Sequence, residues 1–140
     1  MVEAKKIKYD VALSYASEQS AYACDLTNAL KNLKVKTFFA EHEQERLFGK
    51  NLIEELEKVY LYETKFIIIL ASKDYVKKEY PEYERRIASF RQLKDERLFI
   101  IKFDEVHLPG INPSIVYMDG NTSSPQEVAK RIAAILKKKF

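Results

Sequence analysis

The residues best suited to chemistry lie in one run, Ser72-Lys73-Asp74-Tyr75-Val76-Lys77-Lys78-Glu79-Tyr80-Pro81-Glu82-Tyr83-Glu84-Arg85-Arg86. Pro81 suits the first position of a helix, where the N–H that proline lacks would have no partner anyway. Glu84 then falls about one turn inside, and helical spacing gathers Tyr80, Tyr83, Glu84 and Ile87 on one side. A carboxylate among two tyrosines and an isoleucine is less hydrated than Glu79 or Glu82. It is therefore a candidate to attack, or to polarise, a bound substrate. On spacing alone the simpler account is a salt-bridged carboxylate, paired with Arg85 or Lys78 or supporting the helix start.

Other chemistries find little support. His42 and His107 are far apart, without ligand-like spacing around either, so no metal site is expected. Glycine occurs only at 49, 110 and 120, which leaves no phosphate-cradling loop of the Gly-x-Gly-x-x-Gly type. A phospho-acceptor receiver would need acids after the first strand and an aspartate ending the third. Those places hold Tyr15-Ala16-Ser17 and Ala71-Ser72. Cys24, the single cysteine, lies among Ala21, Leu26 and Leu30 on a helix face and reads as core filling.

The elements that must position Glu84 alternate steadily. Strand-like runs cover residues 9–14, 35–39, 65–70, 98–103 and 115–118. Helical spacing joins Ala21, Leu26, Ala29, Leu30 and Leu33, ending near Lys34. It recurs in Leu52, Ile53, Leu56, Val59 and Tyr60, and then from Pro81 through Tyr83, Ile87 and Phe90. Residues 41–50 and 71–80 read as loops. Ser123 or Ser124 can cap a last helix, with Pro125 just inside it and Val128, Ile132, Ile135 and Leu136 on its buried side. This rhythm predicts a flavodoxin-like three-layer α/β/α sandwich, with a five-stranded parallel sheet of order 2-1-3-4-5. The whole chain, 1–140, is expected to form one domain with a core over about 7–138.

In such folds ligands bind beyond the carboxyl ends of the strands, where the strand order reverses. That rule points to Tyr15-Ala16-Ser17, to the 41–50 loop and to residues 71–84. The net charge of +3 is small and dispersed, unlike the concentrated basic face of a nucleic-acid reader. The longest apolar run, 66–71, is too short to span a bilayer, and no leader-like segment opens the chain. A cytoplasmic protein with no membrane or nucleic-acid partner is expected.

Three motifs in order resemble one family. Ser14-Tyr15-Ala16-Ser17-Glu18 after the first strand is similar to the opening motif of TIR (Toll/interleukin-1 receptor) domains. Leu47-Phe48-Gly49-Lys50-Asn51-Leu52 resembles that family's BB loop. Ser72, Tyr75, Tyr80 and Glu84-Arg85 resemble the Ser … Trp-x-x-x-Glu pattern of NAD-cleaving members, with Phe103-Asp104 and Leu108-Pro109-Gly110 matching bacterial ones. Tyr80 and Phe48 stand where many relatives carry Trp, and Ala16-Ser17 where many carry Arg.

The resemblance implies an NAD+ nucleosidase that releases nicotinamide and leaves ADP-ribose or a cyclic ADP-ribose isomer, serving bacterial antiviral signalling. It implies Glu84 as the catalytic residue. Tyr15, Ala16, Ser17, Phe48, Lys50, Ser72, Tyr75 and Tyr80 would bind substrate: Ser72, Tyr15 and Ser17 through ribose or phosphate oxygens, and Phe48, Tyr75 and Tyr80 as walls. NAD+ would be substrate, with no separate cofactor. Self-association through the 41–50 loop and a downstream effector sensing the nucleotide product are further implied partners. The alternative is a non-enzymatic adaptor acting by homotypic contacts.

Overall fold

The computed structural model describes residues 7–39, 58–77, 98–106 and 117–139. Five strands form one parallel sheet: β1 (Tyr9–Ser14), β2 (Thr37–Phe38), β3 (Thr64–Ala71), β4 (Leu98–Lys102) and β5 (Tyr117–Asp119). Their order is β2-β1-β3-β4-β5, as the rhythm of the sequence implies. The described helices are α1 (Ser20–Asn32), α2 (Lys73–Lys77) and α3 (Pro125–Lys139), with a 3-10 turn at Ser17–Gln19 and a π-helical turn at Val59–Glu63.

β3 is the spine. It pairs with β1 from Tyr9↔Thr64 to Ser14↔Ile69, and with β4 from Ile67↔Leu98 to Ala71↔Lys102. Because side chains alternate across a strand, Ile67, Ile69 and Ala71 enter one core while Phe66, Ile68 and Leu70 enter the other. The first core also takes Ala12, Phe38 and Tyr75. The second is closed by Leu26 and Leu30 of α1 and by Val128, Ala129 and Ile132 of α3. An unbroken apolar run is what a strand covered on both faces requires. Deleting one such side chain, as in Ile68→Ala, costs about 2–5 kcal/mol.

The last helix begins as its sequence suggests. Glu127 N–H donates to Ser124 Oγ at 3.1 Å, and Ser124 N–H donates to Glu127 Oε1 at 3.2 Å. This reciprocal pair is a capping box, which satisfies two N–H groups that the helix cannot. The π-helical turn before β3 delivers Glu63, whose carboxylate is buried and meets Lys8 at 3.3 Å and Lys58 at 3.6 Å.

Three boundaries differ from expectation. β2 is only Thr37–Phe38 rather than 35–39, because Val35 belongs to the exit from α1. There Val35 N–H donates to Leu30 O and Lys34 N–H to Lys31 O, both at 2.9 Å, with Lys34 at φ 63°. This is a Schellman ending, sealed by the buried contact partners Leu30 and Val35. The stretch 71–80 is not all loop: β3 runs on through Ala71, and Lys73–Lys77 is helical. β5 is Tyr117–Asp119 among the described residues, reaching one residue past the expected end. Of the expected helix through Leu52, Ile53, Leu56, Val59 and Tyr60, residues 52–57 lie outside the described residues and Val59 and Tyr60 fall in the π-helical turn; the expected helix over 81–93 also lies outside them.

Tyr22 joins α1 to the start of α3. Its hydroxyl donates to Ser123 O at 2.9 Å, and its ring meets Phe103 edge-on at 4.8 Å. Burial first, and then the Glu127 carboxylate, pushes its pKa from 10.0 to about 12. A raised folded-state pKa means that the folded protein holds the proton longer than the unfolded chain. The associated stability is therefore complete below pH 10 and is lost as pH rises towards about 12. Denaturant titrations across that window should show a decline for the wild type that Tyr22→Phe lacks. At Lys34 the left-handed backbone strains any residue with a Cβ, so Lys34→Gly should raise the unfolding free energy by about 0.5–1 kcal/mol. A lower denaturation midpoint would contradict that.

Candidate functional site

Parallel pairing carries the ends of β1, β3 and β4 to one edge of the sheet. β1 and β3 are the strands between which the order reverses, so a crevice beyond them is the expected ligand position. Beyond β1 the chain passes through Tyr15 and Ala16 into the 3-10 turn. Gln19 N–H donates back to Ala16 O at 2.9 Å, fixing that turn. Beyond β3 comes Ser72, followed at once by α2.

Hydrogen bonds tie the two exits together. Ser72 Oγ donates to Gln19 Oε1 at 2.8 Å and accepts from Tyr75 N–H at 3.1 Å. The Tyr75 and Ser14 hydroxyls bond at 2.7 Å, deep in the fold. Ser14, Ser72 and Tyr75 are each 0% exposed. A buried hydroxyl without a partner is costly, so these bonds hold the exits of β1 and β3 in one arrangement. On the β4 side, Asp104 Oδ2 accepts from Lys73 N–H at 2.9 Å and Phe103 N–H donates to Ala71 O at 2.9 Å. Asp104 thereby stabilises the start of α2, as an acceptor there should.

The structure sorts the predicted binding residues. Tyr15 is half-buried and stacks on Phe39, with ring centroids 5.3 Å apart. Ala16 is 1% exposed and contributes its carbonyl to the turn. Ser17 is exposed, and its hydroxyl donates to Glu18 Oε1 at 3.3 Å. Ser72 and Tyr75, expected to contact ligand or wall the cleft, are each fully buried. Tyr75 is a core side chain because its ring packs under the sheet beside Ala16, Ile69 and Ala71. Phe48, Lys50, Tyr80 and Glu84 lie outside the described residues, as does the 41–50 loop.

Two contributors escaped sequence reasoning. Gln19 carries no motif, and only its place just past β1 marks it. Asp104 was noted merely as part of a resemblance, although an acid one residue beyond Phe103 is well placed to meet a helix start.

A groove of about 480 Å³ between Lys8, Lys31, Lys34 and Lys36 lies at the amino ends of the strands, away from the switch point. A smaller one of about 270 Å³ lies beyond β4 and β5, lined by Phe103, Asp104, Glu105, Tyr117 and Asn121 among others. Among the described residues no three His, Cys, Asp or Glu side chains gather as a metal would need. No described helix is long and apolar enough to cross a membrane.

Comparison with known proteins adds independent findings. A family model described as "TIR domain" matches residues 11–136. A 3' cyclic ADP-D-ribose synthase, AaTIR of Aquimarina amphilecti, is 35% identical over 136 residues. The alignment takes in 96% of this chain but 42% of that protein, so the chain spans less than half of its relative. The TIR domain of the Toll-related receptor TRR-2 from Hydra magnipapillata superposes with a TM-score of 0.67 at 19% identity, covering 94% of both chains. The TIR domains of the activated Roq1 resistosome give a TM-score of 0.61 at 25% identity, covering 95% of this chain and 70% of that one.

The bonds beneath the crevice yield a test. Tyr75→Phe removes the buried hydrogen bond to Ser14 while keeping the ring, and should lower the unfolding free energy by about 1 kcal/mol. Unchanged stability in denaturant would mean that the Ser14 contact contributes nothing.

Proposed function

The chain belongs to the TIR domain family, and from that premise we propose that it cleaves the bond between nicotinamide and ribose in NAD+. The observation that carries the reading is the relative named as a cyclic ADP-ribose synthase, which aligns with 96% of this chain. The reversal of strand order between β1 and β3 supports it, since this fold accepts ligands beyond the carboxyl ends of its strands at that point.

In the proposed reaction NAD+ lies across the carboxyl edge with its nicotinamide ribose against Glu84. As the N-glycosidic bond breaks, its electron pair leaves with nicotinamide, whose ring nitrogen is positively charged in NAD+. The ribose gains oxocarbenium character, and the Glu84 carboxylate stabilises that charge or holds a ribose hydroxyl. Attack by water, with loss of a proton, gives ADP-ribose. Attack by another group of the same molecule, again with loss of a proton, gives a cyclic isomer. No metal is required.

The remaining residues take supporting roles. Tyr15 and Ser17 meet the substrate from the β1 exit, with Ala16 packed behind them, and Ser72 and Tyr75 hold that exit from below. Phe48 and Tyr80 supply aromatic walls and Lys50 faces a phosphate. The 41–50 loop of one copy covers the crevice of the next, which makes self-association part of activity. The one domain spans 1–140, and its product is read by a separate effector.

The experiment is direct. Purified protein incubated with NAD+ at high concentration, with and without a crowding agent, should release nicotinamide. Glu84→Ala should lower that release on the order of 100-fold or more. Absent release under both conditions, or release unchanged in the variant, would sink the proposal.

A further inference from the structure

Gln19 links the exits of β1 and β3 through a bond that leaves half of its side chain uncommitted. Its Oε1 accepts from the hydroxyl of Ser72, a residue 53 positions away in sequence. The direction of that bond follows from the surroundings. Ser72 is 0% exposed, and Tyr75 N–H already donates to its oxygen. A serine hydroxyl has one hydrogen, and burying it without an acceptor is costly. Gln19 Oε1 is the acceptor beside it. The flipped amide would aim an N–H at an oxygen that already receives one, and would strand the serine hydrogen.

With the carbonyl turned inward, the planar amide must carry its nitrogen away from Ser72. Gln19 is half-buried, and among the described residues its Nε2 has no hydrogen-bond partner. An oriented, uncharged group with two N–H donors thus stands at the reversal of strand order. Its backbone is held by the Ala16 bond and its side chain by the Ser72 bond. Such a group is pre-organised to receive an oxygen, because its rotamer has been chosen before any ligand arrives.

We propose that Gln19 is a substrate-binding residue whose side-chain amide donates to an oxygen of the dinucleotide, with Ser72 as the positioning residue that aims it. The proposal rests on the nucleosidase reading for the identity of the ligand. The acceptor is either a ribose hydroxyl or a phosphate oxygen, the shared chemistry being an oxygen lone pair.

The test compares Gln19→Ala, Gln19→Glu and Ser72→Ala in nicotinamide release, with thermal unfolding alongside. Gln19→Ala should raise KM about tenfold and leave kcat within about twofold, since a binding contact common to ground and transition state is lost. Ser72→Ala should raise KM less, as the amide is kept but no longer aimed. Gln19→Glu separates the two acceptors. A KM above that of Gln19→Ala, rising further as salt is lowered, identifies a phosphate. A KM close to wild type identifies a hydroxyl, which can donate to the new carboxylate. Wild-type KM in both Gln19→Ala and Ser72→Ala overturns the proposal.

A second measurement does not depend on turnover. In Glu84→Gln protein titrated with NAD+, the Gln19 side-chain amide resonance should move with saturation. If other resonances near the crevice move and this one stays, Gln19 is not a ligand contact. If the wild type releases no nicotinamide, the nucleosidase reading fails separately, and the same titration still decides whether Gln19 touches the dinucleotide.

Discussion

β3 runs parallel to β1 on one side and to β4 on the other, with apolar side chains covered on both faces. Such a strand has no solvent-facing side, so a one-residue slip would exchange the two cores, sending Ile67 and Ile69 where Ile68 and Leu70 belong. Register is therefore strongly specified. Everything at the carboxyl edge inherits that register, because Ser14 and Ser72 are where they are only through the pairing of Ser14 with Ile69.

The polar groups at that edge then complete the arrangement. Ser14, Ser72 and Tyr75 place hydroxyls away from the solvent-accessible surface, and each finds a protein partner. Buried polar contacts of this kind add modestly to stability but penalise alternative arrangements heavily. The consequence is a fixed hydrogen-bonded base where β1 and β3 end. Such a base lets Gln19 and the β1 exit hold fixed orientations, which a binding site on loops alone could not guarantee.

The opposite end of the sheet has a different character. Lys8, Lys58 and Lys65 pair with Glu63 and Asp10, and α1 ends there in a strained Schellman turn at Lys34. These contacts secure the amino ends of β1 and β3. The two ends of the strands are thus held by different means, ion pairs at the amino end and buried hydroxyl bonds at the carboxyl end.

Much of the fold was legible in the chain. The run Phe66-Ile67-Ile68-Ile69-Leu70 suits a strand covered on both sides, and Ser124-Pro125 with Glu127 marked a helix start. The alternation of such runs determined a parallel sheet, its strand order and the edge where ligands bind, since these follow from local periodicity and from the handedness of crossovers. The place of Tyr15, Ala16 and Ser17 at the exit of β1 was legible because they directly follow a recognisable strand. Tertiary structure alone decided that Tyr75 and Ser72 are buried, and that Ser72 bonds to Gln19. The reason is that burial and hydrogen-bond direction depend on what packs against a residue from distant parts of the chain. Residues 19 and 72 share no local pattern, and only the pairing of β1 with β3 brings them within 2.8 Å.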